Sequence, residues 1–347
     1  MGTLKDMSAY ARLDGLDVAR FLAFIGMVIV NFGVVMAAEG PLFDALAGKA
    51  AATFVILAGI GIGLSRIAPG DLMRRAAFLF VIGMVNALIF PADIIHFYAV
   101  YFVFAALVLR ASARALFGMA GLIILAGAGF ILLLDYDAGW DWQTLDYAGF
   151  WTVSGFLRNL IFNGWHPVFP WLAFLLVGMG VARMDLGRGA VQARLCGLGL
   201  GLALAAAAAS RGVIGLSGDP EIALIAGLGP IPPMPIYMVM GIGSGLAVIG
   251  GVLWLSPRLA PVTALLAQPG RQSLTLYVAH IVLGMGAMEA MGLIGAGDGR
   301  QALIWAFGFC VIAAIYAHIW ARIIGRGPLE ALMRRLTGTG RKTGATG

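Results

Sequence analysis

Long apolar runs separated by short polar segments occupy the chain from about residue 18 to residue 323. A helix needs about 20 mostly apolar residues to cross the hydrocarbon core of a bilayer. This pattern predicts ten membrane-spanning helices, at about 18–38, 50–66, 75–91, 94–110, 114–134, 167–183, 194–210, 236–256, 272–294 and 301–323. Two further apolar segments, 151–164 and 222–232, are short and broken by Gly or Pro, which is typical of interfacial or re-entrant structure. We therefore expect an all-α polytopic membrane protein.

The basic residues orient this predicted topology. Of 23 Lys and Arg residues, 19 lie on the side of the N-terminus and four on the other side. Because short basic loops stay in the cytoplasm, we expect both termini to be cytoplasmic. Residues 1–337 would form one transmembrane domain, and residues 338–347 a disordered cytoplasmic tail.

Composition supports the assignment to membrane proteins and limits the kinds of partner and site that we expect. The chain is 61% hydrophobic and 12% charged, whereas soluble domains carry about 25% charged residues. The net charge of +6 follows from the basic loops and gives no indication of nucleic-acid binding. Cys196 and Cys310 lie inside apolar runs, and the sequence contains no H-E-x-x-H or C-x-x-C motif. We therefore expect neither a disulfide nor a metal site.

The longest loop, 135–166, lies on the predicted outer side and begins DYDAGWDWQTLDYAGFW. Its aromatic residues are typical of the belt that forms at a membrane interface. Alternatively, the rings form a platform that stacks on a polar acceptor such as a sugar. The sequence leaves both interpretations open.

This loop ends in NGWHPVFPW, which places His166 between Trp165 and Trp171. Pro167 suits the first turn of a helix, so we expect His166 to lie at the start of that helix. The positive end of the helix dipole favours a neutral imidazole there. A neutral imidazole can accept a proton from a hydroxyl or amine nucleophile. The alternative is an interfacial histidine within the aromatic belt.

Polar side chains inside predicted spans are costly and therefore mark candidate functional positions. In LDVARFLAFIGMVIVN, helical spacing places Asp17, Arg20 and Asn31 on one stripe. We expect this stripe to line a cavity that runs inward from the cytoplasm. The alternatives are an interfacial Asp17–Arg20 ion pair and a helix–helix hydrogen bond from Asn31.

Two later spans contain further candidates. Asp93 and His96 in PADIIHFYAVYF are three residues apart, so the carboxylate either orients the imidazole as a general base or caps the helix. Tyr277 and His280 in GRQSLTLYVAHIVLGMG share one face, and a buried hydrogen bond to a neighbouring helix would also explain His280. The glycine clusters AGIGIGL and GIGSGLAVIGG indicate close helix packing rather than a phosphate loop.

Several of these segments resemble known families. RLDGLDVARFLAFIGMVIVNFGV, DIIHFYAVY, GRQSLTLYVAH and GPLEALMRRLT resemble the YeiB-like bacterial membrane family, which has no assigned function. NGWHPVFPWLAFLLVGMGVAR is similar to bacterial relatives of heparan-α-glucosaminide N-acetyltransferase. Both groups belong to the transmembrane acyltransferase superfamily. The resemblance implies a bacterial cytoplasmic-membrane enzyme without a bound cofactor. In such an enzyme cytosolic acyl-CoA, above all acetyl-CoA, donates its acyl group to a sugar or envelope component on the extracytoplasmic side.

The chain departs from the known acyltransferases at one position. They carry a catalytic histidine at the position matching Asn31 or about three turns later, whereas residues 31–42 read NFGVVMAAEGPL. The base would then be His166, or His96 with Asp93.

The resemblance also implies roles for the remaining candidates. Arg20, with Asp17, would steady the CoA end, and Asn31 and Tyr277 would position the thioester. Trp165, Trp171 and His280 would complete the binding site. The alternative function is a transporter or channel for a small polar or acidic solute along the same polar face. The sequence is compatible with a homodimer and does not decide the oligomeric state.

Overall fold

The computed structural model of the 347-residue chain describes residues 13–338. Its elements, in chain order, are α1 (Asp14–Val35), α2 (Pro41–Leu46), α3 (Lys49–Leu64), α4 (Pro69–Ala87), α5 (Ile95–Leu107), α6 (Ala113–Leu133), β1 (Trp140–Asp141), β2 (Asp146–Tyr147), α7 (Val153–Arg158), α8 (Val168–Val181), α9 (Gly189–Ser217), α10 (Pro220–Ile225), α11 (Pro235–Leu255), α12 (Ala260–Gly270), α13 (Ser273–Ala279), α14 (Gly286–Ala290), α15 (Gly299–Ile323) and α16 (Pro328–Thr337). Two π-helical stretches, Asn159–Asn163 and His280–Met285, follow α7 and α13. The predicted all-α class is confirmed. The predicted disordered tail, apart from residue 338, lies outside the described residues.

The helices confirm a multi-pass membrane protein. Within residues 13–338, seven helices are long and apolar enough to cross a membrane, or eight if the bent pair Val153–Asn163 and Val168–Val181 forms one span. The ten predicted crossings are not reached because two helices differ from the expected spans. Helix α4 carries Asp71, Arg74 and Arg75 in its first half. Helix α5 has 13 residues, about 20 Å in length, which is shorter than the hydrocarbon core of about 30 Å.

The start of α8 differs from the sequence prediction. Pro167 precedes the helix instead of occupying its first turn, and Phe169 has a non-helical backbone (φ −102°, ψ 115°). A residue that precedes proline is displaced from the helical region by the proline ring, and Pro170 has this effect on Phe169. His166 therefore lies one residue before the cap of α8 and not at the start of the helix itself.

Glycines bring the central helices into close contact, as predicted. A Cβ atom on Gly59 of α3 would lie 3.0 Å from the Cα of Gly178 in α8 and would overlap the Leu175 carbonyl oxygen. A Cβ on Gly243 of α11 would meet the main chain of Ala203 in α9 at 2.6 Å. These contacts confirm that both glycine clusters serve helix packing.

The loop between α6 and α8 is an ordered aromatic cluster. Strands β1 and β2 pair antiparallel, and the Trp140 ring stacks on Trp142 at 4.6 Å between centroids. Asn163, fully buried, donates from Nδ2 to the carbonyls of Tyr136 and Ala138 and accepts from the Tyr147 hydroxyl. These bonds fix the loop against the helices, so its rings can form the wall of a site.

Candidate functional site

A cavity of about 380 Å³ opens at one end of the helix bundle; we call it the arginine cavity. Its wall includes the first half of α1, the second half of α3, and residues from α4, α5 and α13. The polar residues of its wall are Asp17, Arg20, Arg75, Tyr98, Arg271, Ser273, Tyr277 and Glu330. Asp17 and Arg20 therefore line a cavity, where sequence reasoning expected them.

The mouth of the arginine cavity is a charge network. Arg20 donates to Asp17 at 2.5 Å, which confirms the predicted pairing of these two residues. Arg271 bonds Asp17 at 3.3 Å and Asp14 at 2.6 Å, so α1 is joined to the start of α13. Sequence reasoning did not find Arg271, because more than 250 residues separate it from its partners along the chain.

A second cavity of about 330 Å³, the vestibule, adjoins this mouth and shares Arg75, Arg271, Glu330 and Met333 with it. Its wall adds Arg326 and Arg334 from the C-terminal segment. Glu330 accepts hydrogen bonds from the Leu274 and Thr275 amides and from the Thr275 hydroxyl at 2.5 Å. Glu330 thereby attaches α16 to the start of α13. The vestibule combines four guanidinium groups at the entrance of a largely apolar cavity.

Two tyrosines lie at the deep end of the arginine cavity. The Tyr277 hydroxyl accepts a hydrogen bond from the Ile94 amide at 3.2 Å. The Tyr98 hydroxyl is buried and has no hydrogen-bond partner in the described part of the chain. It can therefore donate to a group that enters the cavity. Sequence reasoning assigned a role to Tyr277 but missed Tyr98, because the sequence does not show that its hydroxyl lacks a partner.

A third cavity, of about 200 Å³, lies at the opposite end of α1 and α3; we call it the histidine cavity. Asn31, Trp165 and His166 line it, together with the segment before α3 and residues Phe90 and Ala92. The predicted stripe on α1 is thus divided: Asp17 and Arg20 face one cavity and Asn31 faces another. A single continuous path along α1 is therefore wrong.

His166 is held by contacts with its ring and its main chain. The ring lies 4.5 Å from that of Trp171 and 5.9 Å from that of Phe97. The Tyr101 hydroxyl donates to the His166 carbonyl at 2.6 Å. Nδ1 is buried without a hydrogen-bond partner among residues 13–338, so Nε2 is the ring nitrogen that can meet a solute in the cavity.

Trp171 does not have the predicted substrate-binding position. Its side chain is fully buried, and the ring packs on His166 and, at 5.2 Å, on Phe174. In the described part of the chain it lines neither the arginine cavity, nor the vestibule, nor the histidine cavity. Trp171 therefore supports the His166 ring from behind instead of touching a ligand.

Asp93 and His96 form a fully buried pair. Asp93 Oδ2 lies 3.2 Å from His96 Nδ1 and also accepts from the amides of Ile95 and His96. The carboxylate therefore contacts the imidazole and also caps the first turn of α5, whereas the buried His96 ring does not reach the headgroups. Asn86, which sequence reasoning missed, donates to the other carboxylate oxygen at 2.7 Å. Within the described chain neither Asp93 nor His96 lines these three cavities, which weakens His96 as a base.

His280 is fully buried and lies next to Asn31, with Nε2 3.0 Å from Asn31 Nδ2. The predicted hydrogen bond between neighbouring helices is confirmed for both residues. Among residues 13–338, His280 is absent from the walls of the three cavities, so its predicted direct contact with substrate is not found. It lies behind Asn31.

A thin layer, which we call the septum, separates the arginine and histidine cavities. Ala92 lines the histidine cavity and Ile94 the arginine cavity. On α3, Ala51 lines the histidine cavity and Phe54 lines the arginine cavity. These two residues are about 4.5 Å apart along the helix axis. The non-helical segment before α5 can pass through the protein because it lines cavities rather than lipid.

A fourth cavity, of about 330 Å³, lies at the loop between α6 and α8; we call it the aromatic pocket. The rings in its wall are Trp140, Tyr147, Phe150, Trp151 and Trp165, and its polar side chains are Asp146, Thr152 and Asn159. Trp165 also lines the histidine cavity, and its Nε1 is buried without a partner in residues 13–338. The two cavities thus share one wall that carries an unused hydrogen-bond donor.

Comparisons with known proteins match most of the chain. The family model described as heparan-alpha-glucosaminide N-acetyltransferase, catalytic, matches residues 12–209, which is more than half of the sequence. A model described as a protein of unknown function, DUF418, matches residues 191–340. No curated protein matches the chain.

Proposed function

Because the chain belongs to the family of the heparan-alpha-glucosaminide N-acetyltransferase catalytic domain and is related to the YeiB-like proteins, we propose that it is an acyl-CoA-dependent membrane acyltransferase. An acyl group, acetyl in the first instance, passes from CoA in the arginine cavity to an acceptor that is held at the aromatic pocket. The observation that carries this proposal is the pair of cavities on opposite sides of the septum.

The donor side has the chemistry that acyl-CoA requires. CoA is an anionic nucleotide joined to a long uncharged arm that ends in the thioester. The guanidinium groups of the vestibule suit the phosphates, because arginine pairs with phosphate in a bidentate manner. The apolar arginine cavity suits the arm, and Tyr98 at its deep end offers a hydroxyl to the thioester carbonyl. Arg20, at the mouth, steadies the CoA end as the resemblance implies.

The acceptor side favours a sugar or another polyhydroxylated envelope component. The aromatic pocket presents ring faces beside a carboxylate and amide and hydroxyl groups, and this combination stacks on apolar sugar faces while hydrogen-bonding their edges. Trp165 joins this pocket to the histidine cavity. An acceptor held in the pocket therefore reaches His166 past a single side chain.

The proposed reaction is a direct transfer. The acceptor oxygen or nitrogen attacks the thioester carbon, and His166 Nε2 removes the proton of that nucleophile. The C–S bond then breaks, and the thiolate takes up a proton and leaves as CoA. General-base catalysis contributes about 10²–10⁴-fold, with the remainder from positioning. The septum separates the two reactants, so Phe90, Ala92 or Ile94 has to move for the carbonyl to reach the nucleophile.

The second candidate, a transporter, is favoured by the same closed septum between two cavities, which is the geometry of alternating access. One experiment separates the two functions. The purified full-length protein is incubated with radiolabelled acetyl-CoA and a set of amino sugars and polyols, and free CoA and labelled acceptor are measured together. Equal amounts of both products support the transferase. Solute uptake by proteoliposomes without any release of CoA overturns it in favour of the transporter.

A further inference from the structure

The buried pair of Asn31 and His280 joins α1 to the π-helical stretch His280–Met285. Asn31 is partly exposed and lines the histidine cavity, whereas His280 is fully buried. π-Helical turns inserted into α-helices are frequent at functional sites. His280 can therefore act on the cavity through Asn31.

The contacts of His280 fix its tautomer. Nδ1 is hydrogen-bonded to the main-chain carbonyl of Tyr277. A carbonyl oxygen can only accept, so Nδ1 carries the proton. The rings of Phe24 and Phe32 lie 5.9 and 6.3 Å from the imidazole, and such apolar surroundings disfavour the charged form. Nε2 of the neutral ring is therefore an acceptor.

The tautomer in turn fixes the carboxamide of Asn31. An acceptor at Nε2 requires an N–H donor at 3.0 Å, so Nδ2 of Asn31, and not Oδ1, faces the ring. The reverse orientation of the carboxamide would place a lone pair of Asn31 Oδ1 against the lone pair of His280 Nε2. This hydrogen bond uses one N–H of the carboxamide and leaves Oδ1 and the second N–H for a substrate in the cavity.

We propose that His280 is a positioning residue that presents the Asn31 carboxamide to the reacting acyl group. The second N–H of Asn31 donates to the carbonyl oxygen as negative charge develops on it, the kind of interaction that stabilises acyl-transfer transition states. This inference rests on the proposed acyltransferase function. It assigns to His280 a role behind Asn31 in place of direct contact with substrate.

Two substitutions at the same position separate positioning from packing. The amide of glutamine can reach the place of Nε2 and accept from Asn31, so His280→Gln should keep kcat within about threefold of wild type. Asparagine matches only Nδ1, so His280→Asn should keep the bond to Tyr277 and release Asn31. We expect His280→Asn to lower kcat by about tenfold or more with an unchanged KM for acetyl-CoA. Asn31→Ala should add little in that background.

Equal losses in both His280 variants, or an Asn31→Ala effect that adds fully to His280→Asn, would overturn the proposal in favour of simple packing. A second readout does not need activity. The chain has four histidines, so ¹⁵N-histidine spectra can be assigned with single variants. A non-protonated Nε2 at His280 that shifts in Asn31→Ala supports the pairing, and a protonated Nε2 overturns it. Wild-type protein that transfers to no acceptor refutes the proposed function while the spectrum still tests the pair.

Discussion

The hydroxyl of Tyr101 donates a hydrogen bond of 2.6 Å to the main-chain carbonyl of His166. This bond ties the middle of α5 to the segment before α8, where the backbone is irregular. It therefore fixes the place from which the His166 imidazole enters the histidine cavity.

Removal of this hydroxyl should loosen His166 without changing its ring. We expect Tyr101→Phe to destabilise the protein by about 1 kcal/mol, since it leaves a carbonyl without its donor, and to lower kcat by roughly tenfold. Thermal unfolding in detergent and steady-state transfer measure the two effects. Tyr316→Phe, on α15, is the matched control, because within the described chain Tyr316 lines none of the four named cavities and does not contact His166. An unchanged kcat in Tyr101→Phe would show that the bond does not position the base.

His166→Ala should lower transfer by about 10²-fold or more, because the nucleophile then loses its proposed general base. Binding of acetyl-CoA should change little, since the proposed donor site lies on the other side of the septum. His96→Ala is the comparison, because its ring is buried away from the cavities and paired with Asp93. We expect it to reduce stability more than turnover. If transfer is abolished by His96→Ala and preserved in His166→Ala, the catalytic centre lies at α5.

Arg75 should contribute to acyl-CoA affinity, because it lines both the vestibule and the arginine cavity. We expect Arg75→Ala to raise the Kd for CoA by about tenfold, as the loss of a charged hydrogen bond costs about 1.5–3 kcal/mol. The difference should shrink at high salt. Equilibrium binding measures both. Arg188→Ala, an exposed arginine before α9, should bind as wild type. An equal loss in both variants would point to general electrostatic attraction.

Gly178 should not tolerate a methyl group, since a Cβ there would overlap the Ile56 carbonyl oxygen of α3. Overpacking of this kind costs about 1–3 kcal/mol, so Gly178→Ala should lower the melting temperature. Gly118→Ala on α6 is the control, because nothing lies within 4 Å of its Cβ position and alanine favours the helix by about 0.5–1 kcal/mol. Equal melting temperatures for the two variants would contradict the close packing of α3 on α8.

The predicted orientation can be read from cysteine accessibility. In a chain without Cys196 and Cys310, an impermeant thiol reagent added outside intact cells should label Asp141→Cys and spare Arg188→Cys. Both positions are exposed, so accessibility to the reagent depends on the side of the membrane. The reverse labelling would place the arginine cavity outside the cell and exclude cytosolic acyl-CoA as its ligand.

Local spacing predicted the local pairs of this site. Asp17 with Arg20 and Asp93 with His96 are three residues apart, and one helical turn brings them together whatever the rest of the fold does. The pairing of Asn31 with His280 spans 249 residues, and only the packing of α13 beside α1 creates it. The two residues were therefore found separately, as polar groups in apolar runs, and not as partners.

The boundaries of the site were harder to predict for a related reason. The apolar run at about 94–110 is long enough for a span, but composition does not indicate that α5 ends at Leu107 and begins at Ile95. The divided stripe on α1 follows from two separate cavities, and a cavity is a property of several helices at once. Tyr98 was missed because its unpartnered hydroxyl is visible only in the packed structure.

The thinness of the septum has an electrical consequence. If the arginine cavity opens to the cytoplasm, most of the membrane potential falls across the septum, which is about one helical turn thick along α3. In the transfer the neutral acyl group moves outward. When the CoA thiolate takes its proton from the inside and the acceptor releases its proton to the outside, the reaction moves one positive charge outward. Against an inside-negative potential this displacement costs about 2.3 kcal/mol per 100 mV. Return of the acceptor's proton across the layer cancels the charge, so the voltage dependence of turnover in proteoliposomes reveals which way that proton leaves.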